Sequence, residues 1–159
     1  MDRQINDNTD SDAVTAKSIA QPDPASADYY VGNIMLDGLS PLERRLLLAF
    51  RFAIMAGKRD LDGVRMLQMR TGSLETAIQM NRLVRRLGDH WEGPFMIAPP
   101  CYQQLTVDEA VVAQMLRAAM ANDRTAFNTA LQPMFNDPVI TGFWWVTRAI
   151  ARAALDAVS

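Results

Sequence analysis

The residue types best suited to chemistry gather in one stretch, Gly88 to Leu105, which holds the chain's lone histidine, His90, and its lone cysteine, Cys101. Asp89, Glu92, Asp108 and Glu109 lie close by in sequence. A metal centre needs three or four such groups to converge, and these spacings follow no established ligand pattern, so no metal and no cofactor are expected. A thiol nucleophile would need His90 within hydrogen-bond reach and a lowered thiol pKa. Cys101 lies five residues ahead of the helix-start residue Thr106, away from the helix end whose dipole would help. The competing reading is a capping loop, with Trp91, Phe95, Ile97 and Tyr102 closing one end of a helical body and Cys101 as a small buried apolar group. His90, Trp91 and Cys101 are the loop's candidates, and on the capping reading Cys101→Ser leaves function intact. Phosphate-binding glycine loops, nucleophile elbows and paired carboxylates are missing from the sequence, so no catalytic residue is assigned.

The second resource is positive charge. Residues 44–86 carry ten Arg or Lys against Asp60, Asp62 and Glu75, whereas residues 1–39 carry seven Asp against Arg3 and Lys17. An acidic arm thus precedes a basic body. Over 61–87 the order helix, Arg-Thr-Gly-Ser turn, helix resembles a helix-turn-helix in outline. Gln68 stands where that motif takes a small residue, and Asn81 where it takes an apolar one. Arg82, Arg85 and Arg86 fall at the far end of the second helix, whereas base contacts usually come from its start. A phosphate-backbone or protein-partner surface built on Arg65, Arg70, Arg82, Arg85 and Arg86 needs charge but no fixed code. A third feature is apolar residues on faces expected to be wet: Trp145 between Arg148 and Arg152, and Phe52, Met55, Met66, Met69 and Met80. Aromatic, Met and Arg side chains together are the composition of interface centres, and the same residues would equally complete a core.

The elements that must position these groups are helices. Ser40, Pro41 and Glu43 form a helix-start signature. The apolar run that follows covers most of a cylinder, leaving Arg44, Arg51 and Lys58 as a narrow polar stripe, with Gly57 to close the helix. A helix apolar on most sides packs against several others. Further helices are expected over 61–70, 74–87 with Gly88 as its stop, 107–121 behind the Thr106–Glu109 capping box, 122–131, and 139–158. The expected fold is all-α: a compact bundle of about six helices around the central helix 42–56, with no sheet. Composition places a disordered acidic arm at 1–37 and a single domain at 38–159. The apolar cluster of Tyr29, Tyr30, Val31, Ile34, Met35 and Leu36 reads as a strap onto the chain's own bundle, with a docking motif for a partner as the alternative.

At 159 residues and 49% hydrophobic content the chain can bury one core. A single Cys excludes an internal disulfide. The opening residues lack the apolar run of a secretory signal, and no apolar stretch is long enough to span a bilayer. A reducing, cytoplasmic setting without membrane insertion is therefore expected.

Leu-Glu-Arg-Arg-Leu-Leu-Leu-Ala-Phe-Arg at 42–51, Ile-Ala-Pro-Pro-Cys-Tyr at 97–102 and Thr-Val-Asp-Glu-Ala at 106–110 resemble a family of small helical alphaproteobacterial proteins of unknown function, over roughly 42–132. Members of that family tend to carry more than one cysteine in the Ala-Pro-Cys part, and Cys101 is alone here. The resemblance implies no activity. The sequence therefore points to a non-catalytic protein that binds another protein, with nucleic-acid binding through 61–87 as the alternative and an enzyme or metal protein using 88–105 as the second.

Overall fold

A computed structural model describes residues 30–58 and 62–159. Among the described residues six helices form a compact all-α fold: α1 Pro41–Lys58, α2 Gly63–Thr71, α3 Leu74–His90, α4 Val107–Met120, α5 Arg124–Leu131 and α6 Asp137–Asp156. The starts are set by side-chain caps of the expected kind. Ser40 Oγ accepts from the Glu43 amide at 3.3 Å while Glu43 Oε2 accepts from the Ser40 amide at 2.7 Å. Thr106 and Glu109 close the same reciprocal box at α4. Asp62, Ser73, Asp123 and Asn136 each accept an amide from the first turn that follows them. Between α2 and α3 the chain reverses at Gly72, whose φ of +71° is a left-handed conformation that a side chain would strain.

Helix α1 packs against α2, α3 and α4, and the broadest helix–helix contact is between α3 and α6. One core runs through them, from Leu46, Leu47, Phe50 and Ile54 of α1 to Met80 and Leu83 of α3, Met115 and Leu116 of α4, and Phe143 and Ile150 of α6.

Two glycines expected to end helices do not. The backbone continues through Gly57 to Lys58, and through Gly88 to His90. A mid-helix glycine costs about 1 kcal/mol against alanine. At α3 that cost is offset by burying Leu87 before it and Trp91 after it, the Trp91 amide donating to the Leu87 carbonyl at 2.8 Å. The polar stripe also needs correction. Arg44 is exposed, but Arg51 is wholly buried; the Lys58 side chain and residues 59–61 lie outside the described residues.

One element departs from the all-helical expectation. Strand β1, Tyr30–Met35, pairs antiparallel with β2, Gln104–Thr106, with Tyr30 opposite Thr106 and Met35 opposite Gln104. The unequal spans force an irregular register between those two pairs. A single 3-10 turn, Leu36–Gly38, follows, and the Leu36 amide donates to the Gln103 carbonyl at 2.7 Å. Leu36 is buried, whereas Ile34 and Met35 are exposed. The ladder carries the folded chain ahead of residue 38, the boundary expected from composition; residues 1–29 of the expected arm lie outside the described residues.

Candidate functional site

The loop between α3 and α4 is organised by two charges that no solvent reaches. Arg51 of α1 and Glu109 of α4 are both fully buried and meet side by side, Nε to Oε1 at 2.6 Å and Nη2 to Oε2 at 3.0 Å. Such a paired fork is the strongest geometry available to this ion pair. The remaining capacity of both groups is spent on the loop backbone. Arg51 donates to the carbonyls of Tyr102 at 2.7 Å and Gln104 at 3.1 Å. Glu109 accepts from the amides of Ala98 at 3.1 Å and Thr106 at 3.0 Å. One turn further out, Thr106 Oγ1 donates to the Met96 carbonyl and the Met96 amide donates to Asp108 Oδ2, both at 2.7 Å. Burial pushes the Asp108 carboxyl above its usual range; the Met96 amide pulls it down, and the neighbouring Glu109 charge adds to the rise. With neither Arg51 nor Glu109 open to a substrate, this cluster fixes a loop and offers no reactive atom.

Its apolar side supports the capping reading. Trp91, Phe95 and Ile97 are buried. The rings of Phe95 and Trp91 continue a series, edge-to-face for Phe50–Phe95 at 5.6 Å and Phe95–Trp91 at 4.8 Å, and tilted for Trp91–Phe135 at 5.7 Å and Phe135–Phe143 at 5.3 Å between centroids. His90 is exposed, with its ring 6.0 Å from that of Phe143. Cys101 is exposed too, against the expectation that it fills the core. The reason is the turn it occupies. The Tyr102 amide donates back to the Pro99 carbonyl at 2.9 Å, and the Tyr102 carbonyl faces the Arg51 guanidinium, which leaves the residue between them on the outer side. Among the described residues no three His, Cys, Asp or Glu side chains converge to hold a metal.

The expected basic face is divided by the fold. Arg65, Arg82 and Arg85 are exposed. Arg86 is half-buried, its guanidinium lying over Gly142 of α6, where any side chain at 142 would collide with it. On α3 the first turn carries Glu75, whose carboxylate accepts from the Gln79 amide group at 2.7 Å. An acid therefore stands where a recognition helix would face base edges. Arg70 turns back onto α1, its guanidinium 4.0 Å above the Phe52 ring.

That contact places Arg70 beside Arg44 of the expected polar stripe and beside Arg45, neither of which the sequence pattern had placed in a binding surface. Arg44, Arg45 and Arg70 line a cleft of about 580 Å³ whose apolar lining includes Leu39 and Leu48 and whose one acid among the described residues is Asp37. Each guanidinium has an anchor there. Arg44 meets Asp37 at 3.3 Å, Arg45 donates to the Thr71 carbonyl at 2.6 Å, and Arg70 rests on Phe52. With five N–H donors apiece, most of their hydrogen-bonding capacity faces outward.

On α6, Trp145 is 66% exposed and Arg152 is exposed, but Arg148 is half-buried and donates to the Ala119 carbonyl at 2.7 Å. Arg148 thus adds a charged donor to a carbonyl at the negative end of α4 that also accepts from the Asn122 amide at 3.1 Å. Of the apolar residues suspected of lying on wet faces, Met80 is wholly buried, Phe52 and Met55 are half-buried and pack against the core, Met66 is half-buried, and Met69 is 81% exposed.

A second ion pair sits at the start of α1, where Arg117 Nε meets Glu43 Oε1 at 2.6 Å. Burial would raise the Glu43 pKa, but the Arg117 hydrogen bonds and the Ser40 cap outweigh it and hold the carboxyl below its usual range. A depressed carboxyl pKa contributes stability that is complete above the unfolded value, about 4.3, and is lost as pH falls through the lower folded value. Thermal melts of wild type and Glu43→Gln should therefore differ most at neutral pH and converge as pH drops below about 4.

No protein-family model, no curated protein and no solved structure matches the chain. The resemblance over residues 42–132 therefore brings no activity to it.

Proposed function

We propose that the chain is a non-catalytic binding protein of the cytoplasm that engages another protein through the basic surface of its first half. The observation that carries this reading is the cleft of Arg44, Arg45 and Arg70, where cationic donors and apolar lining meet at an open surface. Exposed Met69 on the same helix as Arg70 adds an adaptable apolar contact. The buried loop charges have no access to a substrate, which favours binding over catalysis, and the lone exposed thiol suits a reducing compartment. No described helix is long and apolar enough to cross a membrane.

Nucleic-acid binding through Arg65, Arg82 and Arg85 is the second reading, favoured by their exposure and weakened by Glu75 at the start of α3. Titration of the full chain with labelled duplex DNA and RNA at several salt concentrations separates the two. The protein-partner reading expects no tight complex at low salt. Affinity that falls steeply with added salt would replace it with the nucleic-acid reading.

A further inference from the structure

The cleft's chemistry narrows the kind of partner. Among the described residues its three guanidiniums face one acid, Asp37, which is itself solvent-exposed, as is the Arg44 it meets. An ion pair of this kind contributes little to stability, so an incoming carboxylate can take the place of Asp37 at small cost. The α1 amides cannot serve as an anion cradle, because the Glu43 carboxylate and the Ser40 hydroxyl already fill that helix start. Anion recognition is left to guanidinium forks, whose planar geometry matches carboxylates two bonds at a time. The forks come from different elements, Arg44 and Arg45 from α1 and Arg70 from the last turn of α2, with Leu39 and Leu48 in the lining beside them. An occupant that uses all of this carries several carboxylates and an apolar side chain together. A compact inorganic anion would leave the apolar lining uncovered.

From this arrangement we infer that the cleft is a docking site for an acidic, amphipathic protein segment, its Asp or Glu side chains taken by Arg44, Arg45 and Arg70 and an apolar side chain seated on Leu39 and Leu48. The inference rests on the protein-binding reading and names the partner's chemistry.

The test uses the full chain and a fluorescein-labelled peptide of Asp, Glu, Leu and Phe residues, followed by anisotropy. Wild type should bind, with affinity falling as salt is added. Arg45→Glu and Arg70→Glu should each weaken binding by about tenfold or more, the loss of one charged hydrogen-bonding partner. Because Arg45 also holds the Thr71 carbonyl, Arg44→Gln serves as the milder variant, and circular dichroism checks that each variant is folded. Asp37→Asn should bind at least as tightly as wild type, and Thr125→Glu, exposed on α5 outside the cleft, should bind equally well. Equal binding of a peptide with Asn and Gln in place of Asp and Glu would overturn the inference. So would full competition by inorganic phosphate, by duplex DNA or by RNA, or a loss in Thr125→Glu matching that in Arg70→Glu. If the peptide fails to bind while a protein partner of the wild-type chain is lost on Arg82→Glu, the cleft inference falls and the protein-binding reading stands.

Discussion

Replacing Glu109 with alanine should lower the free energy of unfolding by about 3–5 kcal/mol, as removal of one partner from a buried ion pair does, because the Arg51 charge stays behind without its counter-ion. Arg51→Met should have a comparable effect. The more telling result is the double variant, Arg51→Met with Glu109→Leu. In general a buried pair can be exchanged for apolar side chains with little loss. Here the pair also serves the backbone, since the Ala98 and Thr106 amides both donate to the Glu109 carboxylate. An apolar replacement takes that acceptor away, and a buried amide deprived of its acceptor costs about 1–3 kcal/mol. The double variant should therefore stay well below wild type in urea denaturation followed by circular dichroism. Recovery of wild-type stability would mean that the two charges serve only each other.

Phe95→Ala should destabilise by about 3–5 kcal/mol, the range for truncating a buried aromatic side chain. Phe95 is the middle ring between Phe50 of α1 and Trp91 at the end of α3, so its removal opens a cavity where the loop meets the core. Trp91 loses its nearest ring, and its emission should shift to longer wavelength as water approaches. Cys101→Ser, on the same loop but exposed, should change stability by no more than about 0.5 kcal/mol. A small effect at Phe95 would mean that the loop lies on the body without closing it.

Local signals in the sequence were sufficient for the helices and their starts. The capping pairs Ser40–Glu43 and Thr106–Glu109 are read from residues three apart and are present as read. Helix ends were less legible: Gly57 and Gly88 mark a stop by local preference, yet the helix runs on past both, at Gly88 with Leu87 and Trp91 buried on either side. Arg51 was misread for a similar reason. Its seven-residue spacing from Arg44 suggests a wet stripe, and the acid that pairs with it lies 58 positions away. Glu109 was visible only as half of a cap, not as the acceptor that organises a loop. The β1–β2 ladder pairs the apolar end of the arm with three residues before α4, too short and irregular a match to leave a period-two pattern. The cleft depends on α1 and the end of α2 lying side by side. Arg70 was singled out from charge alone, Arg44 was read only as part of a wet stripe, and Arg45 was absorbed into the apolar helix that bears it.

The distance between Arg51 and Glu109 along the chain also bears on the order of synthesis. Arg51 leaves the ribosome 58 residues ahead of its counter-ion, and α2 and α3 emerge in between. Through that interval α1 presents an unpaired cation on a helix otherwise built to be covered, so burying that face carries the full desolvation penalty of a lone charge. A fragment ending before α4 is therefore expected to leave α1 unenclosed, and circular dichroism of residues 30–105 alone should show a less cooperative melt than the full chain.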